Sequence, residues 1–171
     1  MRLKKFASIS AGAALVAASV FSGSAAMAGA TIVRVEQRRP DLRFPFPADF
    51  VARLEGQRIE AMGRRAKYLV TDLASGDVLI MHLGMSGSFR IEEGATSAEP
   101  GNFHHARGKN AAHDHVVFHL SNGKIVIYND PRRFGFMDLC PRSDLAAHAH
   151  FRNVGIEPLG NELDGDYLAQ K

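Results

Sequence analysis

Two short loops carry the residues best suited to binding or chemistry. One is the stretch NDPRRFG, Asn129 to Gly135, and the other is HLGMSG, His82 to Gly87. Proline has no amide donor and restricts the residue before it, so the strand that runs up to Tyr128 is expected to stop at Asp130 and Pro131. Charged and aromatic side chains are then left together on a loop.

Met85, Arg132 and Phe134 are the side chains that these loops would present. Gly84 and Gly87 flank the methionine and fit a tight bend. An apolar side chain can unstack a DNA base step, and a guanidinium can hydrogen-bond the exposed base edges. The residue types alone leave an alternative open, which is an ordinary turn with a core Phe, a core Met and two solvated arginines.

Lys67 is a second candidate, because it follows Arg64 and Arg65 in the stretch RRAKYL. Positive charges that lie close together attract phosphate groups. The alternative is a solvated lysine on a strand.

Histidines raise the question of a metal. His104, His105, His113, His115 and His119 lie in one part of the chain, and His113 and His115 would share a strand face. We nevertheless predict no metal site, because no nearby cysteine joins these residues and the first two lie in a predicted loop. Cys140 is the single cysteine, so it is expected to be a small, partly buried side chain and cannot form an intramolecular disulfide.

Composition is typical of one soluble globular domain, with 171 residues of which 46% are hydrophobic. The formal net charge is +3, but Arg2, Lys4 and Lys5 stand at the very start of the chain, and the remainder is neutral. Overall charge therefore says nothing about nucleic acid. Only local clusters of arginine can do so.

The loops must be positioned by a mainly β framework. Alternation of apolar and polar residues predicts strands, and Asn122-Gly123 between two such runs is a strong hairpin signal. Strands are predicted at residues 31–39, 58–63, 67–73, 78–83, 88–92, 116–120, 124–128 and 135–139, and short helices at 48–54, 143–148 and 164–171. Residues 94–112 are predicted to form a loop. The fold class is α+β, mainly β: an antiparallel β-sandwich of about seven or eight strands with short terminal helices.

Residues 1–28 have the pattern of a secretory signal peptide. The basic opening MRLKK precedes an apolar stretch, and Ala26-Met27-Ala28 supplies small residues at the positions that a signal peptidase reads. Cleavage after Ala28 is predicted. No stable membrane span is expected after cleavage.

Four motifs together resemble one known family. The two loops, RRAKYL at Arg64 to Leu69 and HDHV at His113 to Val116 are similar, in this order, to the N-terminal domain of formamidopyrimidine-DNA glycosylase, a bacterial base-excision repair enzyme. The resemblance covers residues 29–171 and implies a domain that recognises damaged double-stranded DNA. The reaction it implies is excision of oxidised purines, such as 8-oxoguanine and formamidopyrimidines, followed by strand cleavage at the abasic site.

The resemblance also implies roles for particular residues. Met85, Arg132 and Phe134 would fill the gap left when the damaged nucleotide is flipped out, with Arg132 facing the orphaned cytosine. Lys67 would act at the catalytic site, and His113 would contact the DNA backbone. Glu157 matches a buried family glutamate, for which a structural ion pair is the simpler interpretation.

This sequence departs from the family pattern in two places. The family opens with Pro-Glu-Leu-Pro-Glu-Val-Glu, in which the proline amine attacks the sugar and the glutamate moves protons. No such stretch occurs here, so we expect this chain to perform the reaction poorly or not at all. The family's C-terminal helix-two-turn-helix module and four-cysteine zinc finger are also missing, so no cofactor is expected.

The leader and the resemblance disagree about location. A signal peptide implies export to the periplasm or beyond, whereas the family is cytoplasmic. The alternative to a repair domain is therefore an exported, non-enzymatic binding module that keeps DNA-reading loops. In either case a monomer is expected.

Overall fold

A computed structural model describes residues 27–93, 96–98, 110–155 and 157. The predicted helix at 164–171, most of the predicted signal peptide, His104 and His105 lie outside these residues. None of the helices in the described ranges is long and apolar enough to cross a membrane.

The described residues form nine antiparallel strands in two sheets. Along the chain they are β1 (Ile32–Gln37), β2 (Ile59–Arg65), β3 (Tyr68–Leu73), β4 (Asp77–His82), β5 (Ser88–Glu93), β6 (Thr96–Ala98), β7 (Asp114–Leu120), β8 (Lys124–Asn129) and β9 (Phe136–Pro141). One sheet has the order β1-β7-β8-β5-β6, and the other has the order β2-β3-β4-β9. The predicted antiparallel β-sandwich is confirmed, and the hairpin at Asn122-Gly123 joins β7 to β8.

The main core lies between the two sheets. It contains Ile32 and Phe118 from the five-stranded sheet and Leu79, Met81 and Met137 from the four-stranded one. Apolar burial of this kind is the dominant stabilising contribution to folding. Facing apolar surfaces therefore hold the two sheets together.

A second core covers the outer face of the four-stranded sheet. Residues that alternate with the first set, such as Val70, Ile80 and Phe136, pack there against Phe151. The strands β3 and β4 are thus buried on both faces, which explains why they read as nearly continuous apolar runs.

The short elements differ from their predictions in three ways. The helix α1 is Phe50–Leu54, shorter than predicted. The predicted helix at 143–148 is a 3₁₀ helix, Arg142–Ala147, in which the Ser143 hydroxyl donates to the Asp144 carboxylate. The predicted loop at 94–112 contains the strand β6, which pairs with β5 and brings the strand count to nine.

Candidate nucleic-acid interface

The two predicted loops touch each other. A Cβ added to Gly84 would lie 2.5 Å from the backbone carbon of Phe134, and the glycine has a φ of +63°. Glycine is the residue that tolerates both this φ and this close approach. The Met85 loop therefore packs directly on the backbone of the loop that carries Arg132 and Phe134.

A buried carboxylate joins the loops from below. Asp130 is fully buried, and its Oδ2 accepts hydrogen bonds from the Gly135 amide at 2.8 Å and the Tyr128 hydroxyl at 3.1 Å. Its Oδ1 accepts from the Ser86 hydroxyl, whose oxygen accepts from the Arg132 amide at 3.2 Å. Burial, together with the Asp130 charge, raises the pKa of Tyr128, which keeps the phenol protonated as a donor.

The backbone of Asp130 fixes the neighbouring histidines. Its amide donates to the His113 carbonyl at 3.0 Å, and its carbonyl accepts from Nε2 of the buried His115 at 2.9 Å. His113 itself is partly exposed and lies in a short 3₁₀ helix before β7. The two histidines therefore do not share a strand face, contrary to the prediction.

Three side chains stand out from this rigid base. Met85 is 71% exposed and Phe134 is 41% exposed. The guanidinium carbon of Arg132 lies 4.5 Å from the centre of the Phe134 ring. Such a cation–π contact holds the two side chains as a unit. The structure thus exposes all three predicted residues on two adjoining loops, and contradicts the alternative of a core Met and a core Phe.

Lys67 lies at the end of the four-stranded sheet from which the Met85 loop extends. It occupies the turn between β2 and β3, one residue before the strand on which it was predicted. Its neighbour Tyr68 pairs with His82, the last residue of β4 before the Met85 loop. Nδ1 of His82 accepts a hydrogen bond from the Gly84 amide at 3.1 Å. Burial, and then the charge of Lys67, lowers the pKa of His82.

Glu157 holds the turn that carries Lys67. It accepts a hydrogen bond from the amide of Ala66, which has a φ of +51°. Its other oxygen lies 3.5 Å from the guanidinium of Arg64. The predicted structural ion pair of Glu157 is confirmed.

Arginines line a groove beside the exposed side chains. Arg43, Arg132 and Arg133 line it together with Leu42 and Phe134. The Arg43 amide donates to the Gly135 carbonyl at 3.1 Å, so the proline-rich segment is tied to the loop. Positive charge is therefore concentrated locally on a chain that is otherwise close to neutral.

The comparison with known proteins identifies the family. A family model described as the formamidopyrimidine-DNA glycosylase N-terminal domain matches residues 16–137. The chain belongs to the formamidopyrimidine-DNA glycosylase family. The match begins inside the stretch assigned to the signal peptide, which stays a prediction.

Relatives from two bacteria show how much of a glycosylase the chain spans. It is 62% identical over 149 residues to the formamidopyrimidine-DNA glycosylase of Sinorhizobium fredii, covering 85% of this chain and 50% of that protein. It is 67% identical over 144 residues to that of Beijerinckia indica, covering 84% of this chain and 48% of that protein. The chain therefore spans about half the length of these relatives.

Solved structures show the same fold. The Lactococcus lactis glycosylase non-covalently bound to DNA containing an abasic site superposes with a TM-score of 0.71 at 23% identity, over 91% of this chain and 55% of that one. A second complex of that enzyme with abasic-site DNA gives a TM-score of 0.61 at 24% identity, over 78% and 45%.

Sequence reasoning missed the residues that build the glycosylase-like surface from below. Asp130 was interpreted only as the end of a strand, and Tyr128 only as its last residue. The Asp-Pro step was an available signal, since aspartate accepts hydrogen bonds from nearby amides in turns. The family roles of Met85, Arg132, Phe134, His113 and Lys67 stay predictions.

Proposed function

We propose that this chain is the damaged-DNA recognition domain of a base-excision repair glycosylase that acts on oxidised purines. In this proposal Met85, Arg132 and Phe134 enter the duplex where a damaged nucleotide has been flipped out. The observation that carries it is the fixed pair of loops on which these three exposed side chains stand.

The energetics of base flipping favour such a device. Extruding a nucleotide costs a few kcal/mol of stacking and pairing, which inserted side chains partly restore. The Phe134 ring and the Met85 side chain offer apolar surface to the neighbouring bases. Arg132 offers donors to the unpaired base, and its contact with Phe134 limits the entropy lost on insertion.

Phosphate contacts would orient the domain on the duplex. The arginine-lined groove lies beside the inserting residues, and Lys67 and His113 lie at the same end of the molecule as the loops. Such contacts determine position and salt dependence but carry no sequence information. We propose that Lys67 acts at the sugar of the flipped nucleotide, and that the domain binds as a monomer.

Binding to duplexes with one lesion tests recognition. The chain is titrated against an undamaged duplex, an abasic-site duplex and an 8-oxoguanine duplex, with fluorescence anisotropy as the readout. The chain is expected to bind the damaged duplexes more tightly than the undamaged one. This preference should fall about tenfold in each of three variants, Met85→Ala, Arg132→Ala and Phe134→Ala, since base stacking on one side chain contributes roughly 1–3 kcal/mol.

Exposed residues on β1 provide matched controls. Val33 is 60% exposed and Arg34 is also exposed. Arg34 pairs with His119 of β7, near the β7–β8 hairpin, whereas the two loops adjoin the other end of β7 and β8. Val33→Ala and Arg34→Ala should leave the preference for damaged DNA unchanged. Equal binding to damaged and intact duplexes would reject the repair proposal and favour an exported binding module.

Trapping with borohydride tests the chemistry separately. A Schiff base between a protein amine and the abasic sugar is reduced to a stable covalent adduct. Little or no adduct is expected, because the stretch Pro-Glu-Leu-Pro-Glu-Val-Glu does not occur in this sequence. Efficient trapping on an 8-oxoguanine duplex would show that the expectation of weak chemistry is wrong while leaving recognition intact.

A further inference from the structure

A cluster of two histidines and an aspartate lies outside the two loops. Asp138 is in β9, and His148 and His150 follow the 3₁₀ helix Arg142–Ala147. Nε2 of His148 lies 3.3 Å from Oδ2 of Asp138, and Nε2 of His150 lies 3.9 Å from the same oxygen. One ligand atom from each of the three residues lies within 4.8 Å of the other two.

The donor set and its dimensions fit a transition metal. Zinc binds histidine nitrogen and carboxylate oxygen at about 2.0–2.2 Å, so tetrahedral ligands stand about 3.3 Å apart. The His148–Asp138 contact already has this separation, whereas the His150–Asp138 contact is 3.9 Å and the two histidine ligand atoms lie within 4.8 Å, so both separations must shorten when the ion binds. Two histidines and one carboxylate are also the donor set of many non-haem metal sites.

We propose that Asp138, His148 and His150 form a binding site for a divalent transition metal, with Zn²⁺ as the cation that fits best. A fourth position would be open to water. The three side chains are between 17% and 33% exposed, so a hydrated ion can reach them from solvent while the protein still excludes most water.

Surrounding aromatic rings orient the histidines. The His150 ring lies 4.4 Å from the Phe136 ring centre and stacks at 5.6 Å on Tyr68. The ring of His148 lies 6.2 Å from that of Phe151. Ligands that are already held in place lose less conformational entropy when they bind a metal.

Such a metal would connect two parts of the fold. Asp138 belongs to the four-stranded sheet, whereas both histidines belong to the segment that closes the second core around Phe151. A bound ion would replace the His148–Asp138 and His150–Asp138 contacts with coordinate bonds. The segment would then be held to β9, and the free energy of unfolding would rise with the logarithm of the free metal concentration above the dissociation constant.

Titration of the full chain with ZnCl₂ tests the site. The protein is purified without a histidine tag, and isothermal titration calorimetry measures affinity and stoichiometry. One Zn²⁺ per chain is expected, with a thermal midpoint that rises with Zn²⁺ concentration. Co²⁺ in place of Zn²⁺ should give the visible absorption of a low-symmetry nitrogen and oxygen site.

Substitutions assign the ligands. His148→Gln, His150→Gln and Asp138→Asn should each weaken Zn²⁺ binding about 100-fold or more, because even residues that only support a ligand account for about 10–100-fold. His119→Gln and Cys140→Ser should leave the affinity unchanged, as should joint replacement of His104 and His105 by Gln. His119 is a matched control, since it also contacts a carboxylate, that of Glu36, at 2.8 Å.

The outcomes separate the proposal from its alternatives. The metal-free thermal transition of each variant shows whether it is folded. Absence of saturable Zn²⁺ binding to the unmodified chain would overturn the proposal. Binding that survives all three ligand substitutions, or that is lost in the Cys140→Ser or His104/His105 controls, would also overturn it.

Discussion

At the scale of single residues, the candidate interface depends on Asp130 more than on the side chains it exposes. Its carboxylate accepts buried hydrogen bonds from Gly135 and Tyr128 and a part-buried one from Ser86. Asp130→Ala would remove the acceptor of the buried Gly135 amide and Tyr128 hydroxyl, and each unsatisfied buried donor costs about 1–3 kcal/mol. We therefore expect the free energy of unfolding to fall by roughly 3 kcal/mol or more.

Urea denaturation measures this loss. Asp144→Ala is the control, because Asp144 is exposed and its carboxylate accepts a hydrogen bond from its exposed neighbour Ser143. Its free energy of unfolding should match that of the unmodified chain to within about 0.5 kcal/mol. Equal midpoints for the two alanine variants would contradict the role assigned to Asp130.

Gly84 offers a second prediction, about the contact between the loops. In Gly84→Ala the new methyl group would meet the Phe134 backbone at 2.5 Å, so the loops must separate. Gly123→Ala is matched, because Gly123 has a φ of +81° but open space around its Cβ position. Both variants bear the cost of left-handed backbone, about 1–2 kcal/mol.

Only the loop glycine should affect binding to damaged DNA. Anisotropy with the abasic-site duplex is expected to show that Gly84→Ala weakens the affinity about tenfold or more. The reason is that the binding free energy lost when the loops separate enters the dissociation constant exponentially. Gly123→Ala should bind as the unmodified chain does. Equal losses in the two variants would mean that general destabilisation, rather than loop geometry, controls binding.

At the scale of elements, a carboxylate on β1 is predicted to make the stability of the fold depend on pH in the acid range. Hydrogen bonds from Arg38 and then His119 lower the pKa of Glu36 from 4.5 to about 2. A carboxyl whose pKa is lowered by folding contributes stability above its unfolded pKa and loses it as the pH falls through the folded one. The contribution should therefore disappear between about pH 4.5 and pH 2.

Glu36→Gln should flatten this part of the stability profile. Urea midpoints at pH 7 and pH 3 are compared, and the difference between them should be smaller in the variant. At pH 7 the substitution should lower the free energy of unfolding by no more than about 1 kcal/mol, because the Glu36 carboxylate is partly exposed and solvent screens its charge. Glu93→Gln, in an exposed position of β5, is the control and should keep the full pH dependence.

How far the sequence predicts each element follows from what determines that element. Alternation and the Asn-Gly turn are local signals, and the hairpin of β7 and β8 was predicted correctly from them. The strand β6 is three residues long and depends on pairing with β5, so no periodicity could reveal it. A short helix was predicted at 143–148, where the structure has the 3₁₀ helix Arg142–Ala147. Leu145 of this segment packs on the second core, and such a tertiary contact cannot be read from the local sequence.

The candidate site divides in the same way. The exposed Met85, Arg132 and Phe134 belong to motifs that can be read from the chain, and so they were found. Asp130 was missed because burial and the convergence of three donors are properties of the assembled sandwich. The Asp138, His148 and His150 cluster was missed because a carboxylate ten residues away along the chain gives no spacing signal.

At the scale of the whole molecule, the first described residue of the core lies next to the predicted cleavage site. Met27 is 3% exposed and belongs to the core between the sheets. The Gly29 amide, two residues further on, donates to the Ile59 carbonyl at 2.9 Å. Cleavage after Ala28 would therefore remove a buried core side chain and keep the strand contacts that follow it.

Truncating that side chain should be costly. Met27→Ala is expected to lower the free energy of unfolding by about 2–5 kcal/mol, the usual range for a buried methionine in a core. Met85→Ala is the matched control, because that methionine is 71% exposed and its loss should change stability by less than about 0.5 kcal/mol. A chain that starts at Gly29 should be at least as unstable as Met27→Ala, since it lacks the same side chain. The prediction is contradicted if Met27→Ala and the chain that starts at Gly29 both unfold at the same urea concentration as the full chain. Met27 would then not stabilise the core, and cleavage after Ala28 would carry no structural cost.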